Sequence, residues 1–422
     1  MLILGIDTSC DDTSIAILEK TRNKIKVLSS VISSQEKLHS QYGGVWPAMA
    51  QREHEKNLTI VLKKALKEAN VLVSSRLKGD KISNFQFPIS KQIQKSKTQI
   101  KNRKIETITK MLKREPLLLK NLLGFISKYQ KPKIEAIAVT IGPGLEPCLW
   151  QGLNFAKALA FIWEIPIVPV NHLEGHLLSV LLKKENEPFA LSFGSFDSLK
   201  ALPAIGLIVS GGHTQLVLIK KIGDYKIIGQ TLDDACGECF DKAARILGLG
   251  YPGGPKIAAL AAKATPLPTT NYQLPTNLPR PMISSKNFDF SFSGLKTAVL
   301  YAWQKVPQKQ KTAQAKIILA HEIQQAIIDV LLHKTIKAAN TFKAKSILLC
   351  GGVSANKELR KQFSLALNYL LPTTNYQLNF LFPKENYFTD NGAMIALSGL
   401  CNLKKKQKFP FNKIKANGNL NI

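Results

Sequence analysis

The stretch Leu2-Ile3-Leu4-Gly5-Ile6-Asp7-Thr8-Ser9-Cys10-Asp11-Asp12-Thr13-Ser14-Ile15-Ala16-Ile17-Leu18 decides how the chain begins. An unbroken apolar run ending in an acid is the pattern of a buried strand. Residues 8–13 form a polar turn, Ser14 starts a second strand, and 26–34 reads as a third. Three acids and three hydroxyls crowd into residues 7–13. Such a tip is a good cradle for phosphates through backbone amides and a metal, the alternative being an ordinary polar hairpin. The design recurs further on. Ala204-Ile205-Gly206-Leu207-Ile208-Val209 is a strand, Ser210-Gly211-Gly212-His213-Thr214 a glycine-rich tip, and Gln215–Lys220 a returning strand. Two such hairpins predict two related domains facing one another, each presenting a phosphate-gripping tip. A chain of 422 residues is too long for one ordinary core and agrees with this.

Between the hairpins lies an α/β unit: a strand over 134–140, the turn Gly142-Pro143-Gly144-Leu145, a helix over 146–163 and a strand running to Val170. Gly142 and Gly144 leave room for a phosphate, although the pattern is not a Walker A motif. Before it, a helix over 48–69 carries His54, either a polar helix residue or a member of the site. Beyond the second hairpin, acids from Asp233 to Glu238 start a helix running through Asp241 to Leu247. Gly250-Tyr251-Pro252-Gly253-Gly254-Pro255 breaks it, and these glycines let backbone lie against a nucleoside. A helix over 256–264 and a long one over 309–340 follow. The strand 346–349 leads into Cys350-Gly351-Gly352-Val353-Ser354-Ala355-Asn356, where Asn356 is placed to bond ribose or base.

His172-Leu173-Glu174-Gly175-His176 follows the strand Ile165–Val170. Histidines four apart share one helix face and can hold a transition metal, given at least one further ligand. The spacing alone also fits caps or surface residues. Glu174 faces elsewhere, and the acid does not directly follow the first histidine as in the metalloprotease motif. Asp390, in Thr389-Asp390-Asn391-Gly392, either caps the final helix or supplies the missing hard ligand.

Lysine and arginine number 58 against 29 acids, a formal charge of +29. This favours a polyanion, RNA or DNA first, though a lysine-rich proteome would give the same excess. No run of 18 or more apolar residues exists, the first residues read as a strand rather than a leader, and six scattered cysteines read as reduced and cytosolic. Residues 76–133 hold 16 Lys or Arg and 3 acids. They read as an insertion, weakly ordered over 90–110 and with one amphipathic helix over 111–129, touching RNA or simply solvated. Leu267-Pro268-Thr269-Thr270-Asn271-Tyr272-Gln273-Leu274 recurs identically at 371–378, and both copies read as inserted surface loops. The tail from Lys404 reads as basic and loose.

Together His172-x-x-x-His176, Ser210-Gly211-Gly212-His213-Thr214, Phe290-Ser291-Phe292-Ser293-Gly294-Leu295-Lys296-Thr297 and Thr389-Asp390-Asn391-Gly392 closely resemble the tRNA adenosine threonylcarbamoyltransferases of the TsaD and Kae type, once described as O-sialoglycoprotein endopeptidases. The resemblance implies the α/β actin-like fold of the sugar-kinase and Hsp70 superfamily, with a nucleotide in a cleft. Residues 1–170 would form one domain, completed by about 385–410. Residues 171–384 would form the other, with loop insertions near 185–203, 265–281 and 368–379. It also implies transfer of a threonylcarbamoyl group from threonylcarbamoyl-AMP to N6 of adenosine 37 in tRNAs reading codons that begin with A. His172, His176 and Asp390 would hold one divalent metal, iron or else zinc. Ile208, Val209, Ser210, Gly211, Gly212, Asp241, Gly254 and Asn356 would contact the adenylate. Ser9 and Asp12 would line the cleft near phosphate or metal, and Asp11 and His54 are the candidates for a base. An inactive paralogue (TsaB-like) and a small ATPase (TsaE-like) are the implied partners, in the cytoplasm and without a membrane.

The chain departs from the family pattern at Met49-Ala50-Gln51-Arg52, where Ala-Ser-Arg is common, and at Glu146-Pro147-Cys148, where small apolar residues are usual. Cys236 and Cys239 replace common alanines. The rival readings are a metalloprotease, a kinase of the same fold and a non-catalytic paralogue. None of them accounts for the glycine tips and the retained His/His/Asp set together.

Overall fold

The computed structural model describes residues 1–22, 24–74, 103–182, 201–264, 277–370, 378–403 and 413–422. The centre of the basic insertion, residues 183–200, both repeat copies apart from Leu378, and 404–412 lie outside the described residues.

The first strands are β1 (Leu2–Asp7), β2 (Asp12–Lys20) and β3 (Ile25–Ser34). Helices α1 (Pro47–Glu68) and α2 (Pro116–Lys128) precede β4 (Ala136–Gly142), α3 (Glu146–Trp163), β5 (Ile167–Asn171) and α4 (His172–Ser179). Next come β6 (Ala204–Val209), β7 (Thr214–Lys221), β8 (Asp224–Gln230), α5 (Cys236–Ile246), α6 (Gly253–Ala261) and α7 (Ser293–Lys305). The chain continues with α8 (Ala313–Thr341), β9 (Ser346–Cys350), α9 (Lys357–Leu370), β10 (Asn379–Leu381) and α10 (Gly392–Asn402).

The chain divides into two compact units, one of residues 1–35, 47–172 and 391–421, the other of 36–46, 173–390 and 422. Their sheets have one topology. The first is ordered β3-β2-β1-β4-β5 and the second β10-β9-β6-β7-β8. On one side each opening strand starts a three-stranded antiparallel meander, and on the other it is followed by two successive parallel pairings. In the first unit the central strand β1 is buried on both faces from Ile3 onward, whereas edge strand β3 begins as an alternation of buried and more exposed residues. In the same unit α10 crosses the sheet where two glycines meet. A Cβ on Gly5 would lie 2.1 Å from the Gly392 carbonyl, and one on Gly392 would lie 2.6 Å from the Ala16 amide.

Four readings are corrected here. The helix expected over 111–129 is two, one over 103–111 and α2, because Pro116 cannot continue the first and instead starts the second. These helices are not an appendage: Ile108, Leu112, Leu118, Leu122 and Phe125 are buried in the first unit's core. The sequence reads as continuing the helix of the histidine pair through Leu177–Lys184, but it stops at Ser179. The tail is not loose over 413–422. Asn417 donates its amide to Ile141 O at 2.8 Å, Lys157 donates to Ile414 O at 2.7 Å, and Ile414 is buried.

Candidate metal centre and active site

The register of the first sheet carries β5 directly into α4, so His172 opens the helix and His176 follows one turn later. One ring nitrogen of each histidine and one carboxylate oxygen of Asp390 lie within 4.8 Å of one another, with His176 Nε2 3.2 Å from Asp390 Oδ1. Both histidines are buried and Asp390 is partly exposed. Two imidazoles and a carboxylate suit a first-row divalent ion. Asp390 is not the cap of α10. Asn391 is, accepting from Met394 N at 2.9 Å, so the aspartate is available to the cluster. Glu174 is turned aside, accepting from the Tyr225 hydroxyl at 3.1 Å.

Asp7, fully buried at the end of β1, places Oδ2 3.4 Å from His172 Nδ1. Its other oxygen accepts from Ser9 N at 3.2 Å. A carboxylate beside the Nδ1 of a histidine fixes its tautomer and directs Nε2 toward a metal. Asp7 was missed in the sequence as a site residue. Its position at the end of a strand flanked by β4, itself next to β5, is the signal that marks it.

The tip after β1 is held by the fold itself. Thr8 Oγ1 donates to Cys148 O at 2.9 Å, and Ser9 O accepts from Leu145 N at 2.7 Å. His54 is fully buried, with Nε2 2.9 Å from Cys10 O and Nδ1 2.8 Å from Thr13 Oγ1. A carbonyl only accepts, so Nε2 carries a proton toward Cys10 O, and Nδ1 pairs with the Thr13 hydroxyl. His54 therefore secures the tip from α1, and its occupied nitrogens argue against the role of base. Asp11 is partly exposed on the tip, and Asp12 begins β2 opposite Ser34. Burial, with Asp11 nearby, pushes the Cys148 thiol up to about 12. At Gly142 and Gly144 the side-chain direction is filled by this chain's own backbone. A Cβ on the first would lie 1.9 Å from Asn417 O and one on the second 2.4 Å from Ser9 O, so the chain itself fills both approaches.

In the second unit Ile208 and Val209 are buried in β6, and Ser210 closes the tip by donating to His213 O at 2.8 Å and accepting from His213 N at 3.1 Å. Gly211 and Gly212 are exposed with open space where a side chain would stand. Gly237, at the start of α5, donates to Ser210 O at 3.2 Å. Parallel pairing sets Ile208 opposite Cys350, and the next residue, Gly351, has φ +88° and packs on Val209. The tip, the end of β9 and the start of α5 thus converge. Asp241 accepts from Gly253 N at 2.6 Å and from Gly254 N, which makes these glycines the first turn of α6 instead of a break before it. Burial raises the Asp241 carboxyl, and these bonds oppose the rise. Asn356 caps α9, accepting from Leu359 N at 3.1 Å and donating to Gln324 at 2.8 Å. Asp241 and Asn356 are therefore already engaged at helix starts. Helix α5 begins at Cys236 and not at Asp233. Asp233 instead accepts from Ser291 Oγ at 2.5 Å, Ser293 Oγ at 2.6 Å and Phe292 N at 2.8 Å, holding the start of α7.

The model of the family "tRNA N6-adenosine threonylcarbamoyltransferase" matches residues 26–75 and 118–397. The protein of that name from Persephonella marina is 38% identical over 96% of this chain and 91% of its own length. That from Francisella tularensis subsp. holarctica is 38% identical over 94% and 93%, and that from Thermosipho africanus 36% over 96% and 95%. With matches of this extent, the chain belongs to the TsaD family of tRNA N6-adenosine threonylcarbamoyltransferases and is an enzyme of that family.

Proposed function

We propose that the chain transfers the threonylcarbamoyl group of threonylcarbamoyl-AMP to N6 of adenosine 37 in tRNAs reading codons that begin with A, using a metal held by His172, His176 and Asp390. The observation that carries the metal assignment is the meeting of those three side chains within 4.8 Å. When bound, a divalent ion, iron by preference or else zinc, supplies Lewis acidity to an acyl carbonyl already activated by its AMP leaving group. Asp7 holds His172 in the ligating orientation. The amides of the open Gly211-Gly212 tip stabilise negative charge on phosphate and on the developing oxyanion. An exocyclic adenine amine is a poor nucleophile, so its orientation supplies much of the rate. Asp11, partly exposed on its tip, is the better remaining candidate to take the amine proton. Ser9 presents its backbone to the same tip, and Asp12 stands at its rim. An anticodon-loop adenosine is splayed and needs no duplex opening. The inactive paralogue and small ATPase belong to the same reading.

A metalloprotease needs a base beside a metal-bound water, and Glu174, the nearest acid in sequence, is held by Tyr225. The test combines purified protein, unmodified tRNA, threonylcarbamoyl-AMP and the two partners, with nucleoside mass spectrometry as the readout. Threonylcarbamoyl-adenosine at position 37 is the expected product, and unmodified tRNA with every component active rejects the reading.

A further inference from the structure

A pocket of about 250 Å³ lies within the first unit, lined by Gln51, Arg114, Glu115, Pro147, Trp150 and Asn154. Three elements build it: α1 gives Gln51, α3 gives Pro147, Trp150 and Asn154, and the junction between the two inserted helices gives Arg114 and Glu115. The volume is far above the ~10–15 Å³ that a single buried water requires. Glu115 is only 4% exposed. Its Oε1 accepts from Asn154 Nδ2 at 2.9 Å, while Oε2 is buried without a hydrogen-bond partner. A buried acceptor left unmet is costly and uncommon in a folded protein. Burial raises the Glu115 carboxyl, the bond from Asn154 opposing it. A ligand that donates hydrogen bonds would reverse that rise.

Part of the pocket's lining lies outside the stretches that match the family model, at Arg114 and Glu115. Gln51 stands at the position of the common serine, Pro147 lies in the atypical start of α3, and Arg114 and Glu115 come from the insertion. The ligand must carry donors for a carboxylate and lie beside the Trp150 indole, over whose ring Lys157 Nζ stands 5.5 Å from the centroid, so that only the other face is left for stacking. Residues 103–128, which frame one side, hold seven Lys or Arg against two acids, suited to a phosphate backbone. Unpaired bases are read in this manner, by stacking on aromatic rings and by hydrogen bonds to their Watson–Crick edges. Guanine alone among the common bases presents two adjacent donors there, N1–H and the N2 amine, to one acceptor group.

We propose that this pocket binds one unstacked base of the RNA substrate, guanine by preference, with Glu115 accepting from its Watson–Crick edge and Trp150 supplying the stacking face. The proposal rests on the reading of the chain as a tRNA-modifying transferase and adds a second point of RNA contact, at residues other than those of the metal cluster. Equilibrium dialysis of the full-length protein against GMP and CMP tests it first. GMP binds about tenfold more tightly than CMP or better, Glu115→Gln removes the preference, and Trp150→Leu weakens both nucleotides. Gln51→Ser, which restores the family residue, lowers GMP affinity without touching the core. Equal binding of the two nucleotides, or a preference unchanged in Glu115→Gln, overturns the proposal. In the transferase assay Glu115→Gln raises KM for full-length tRNA about tenfold with kcat unchanged. An unchanged KM with product still formed overturns the pocket and leaves the transferase reading standing. Failure of the wild type to form product overturns the transferase reading, and the GMP preference then decides the pocket by itself.

Discussion

Replacing Asp7 by asparagine tests whether the buried carboxylate orients a metal ligand. The perturbation preserves shape, and the side-chain oxygen that accepts from Ser9 N can stay in place. The amide nitrogen then faces His172 Nδ1, 3.4 Å away in the native protein. Two donors cannot face each other. Either the amide turns over and loses the Ser9 bond, or His172 moves its proton to Nε2 and loses the lone pair meant for the ion. Two full charges at this separation and an effective dielectric near 20 would interact by ~5 kcal/mol, which bounds the effect from above. A metal-bound imidazole carries only part of a charge, so the loss should be about 1.4–2.7 kcal/mol, or 10–100-fold in metal affinity. Competition for zinc against a chromophoric chelator measures it, with a urea melt of the metal-free protein as the control on folding. A variant that folds normally and binds zinc as tightly as the wild type would refute the reasoning. Asp7→Glu keeps the charge and should recover part of the affinity.

His176→Ala should lower bound metal and transferase activity together, read by elemental analysis and nucleoside mass spectrometry, and unchanged metal content rejects the ligand assignment. Gly5→Ala places a methyl group 2.1 Å from the Gly392 carbonyl, and the overpacking should cost at least about 1–3 kcal/mol in urea unfolding. Burial opposes ionisation of Asp233, but bonds from Ser291, Ser293 and Phe292 outweigh it and hold the carboxyl below its ordinary range. Its folded pKa is therefore below its unfolded one. The stability it adds is full above about pH 4, the unfolded value, and fades as pH falls through the folded one. Asp233→Asn should flatten that acid limb in denaturation curves taken from pH 6 to pH 2. Cys236 is fully buried, with its thiol pushed up to about 12, and Cys148, Cys239 and Cys350 are buried as well, so a thiol reagent at pH 8 should find only Cys10 and Cys401 reactive in the native protein.

How far each feature could be read from the sequence depends on the range of the forces that set it. Strands β1 and β6 were legible because local apolarity alone makes a doubly covered strand, and α3 because its turn and its periodicity agree. The histidine pair was legible because four residues of helix bring it together by themselves. Strand β8 was not, since Asp224–Gln230 carries mixed burial and owes its conformation to pairing with β7. The glycines at 142 and 144 misled for a related reason. A residue without a side chain signals that something approaches closely, but not what, and here the visitors are Ser9 against Gly144 and, 275 residues downstream of Gly142, Asn417. His54 and Asn356 also hold local structure, because a polar side chain near a site is equally suited to building the site's walls. Asp7 is the converse case. It looked like the end of a strand, and only the side-by-side order β1-β4-β5 sets it against the first residue of α4. A ligand pair set by helical spacing can therefore be found in one dimension, whereas the carboxylate that makes one of its members a good ligand is fixed by sheet order, and sheet order is decided by contacts that no local window contains.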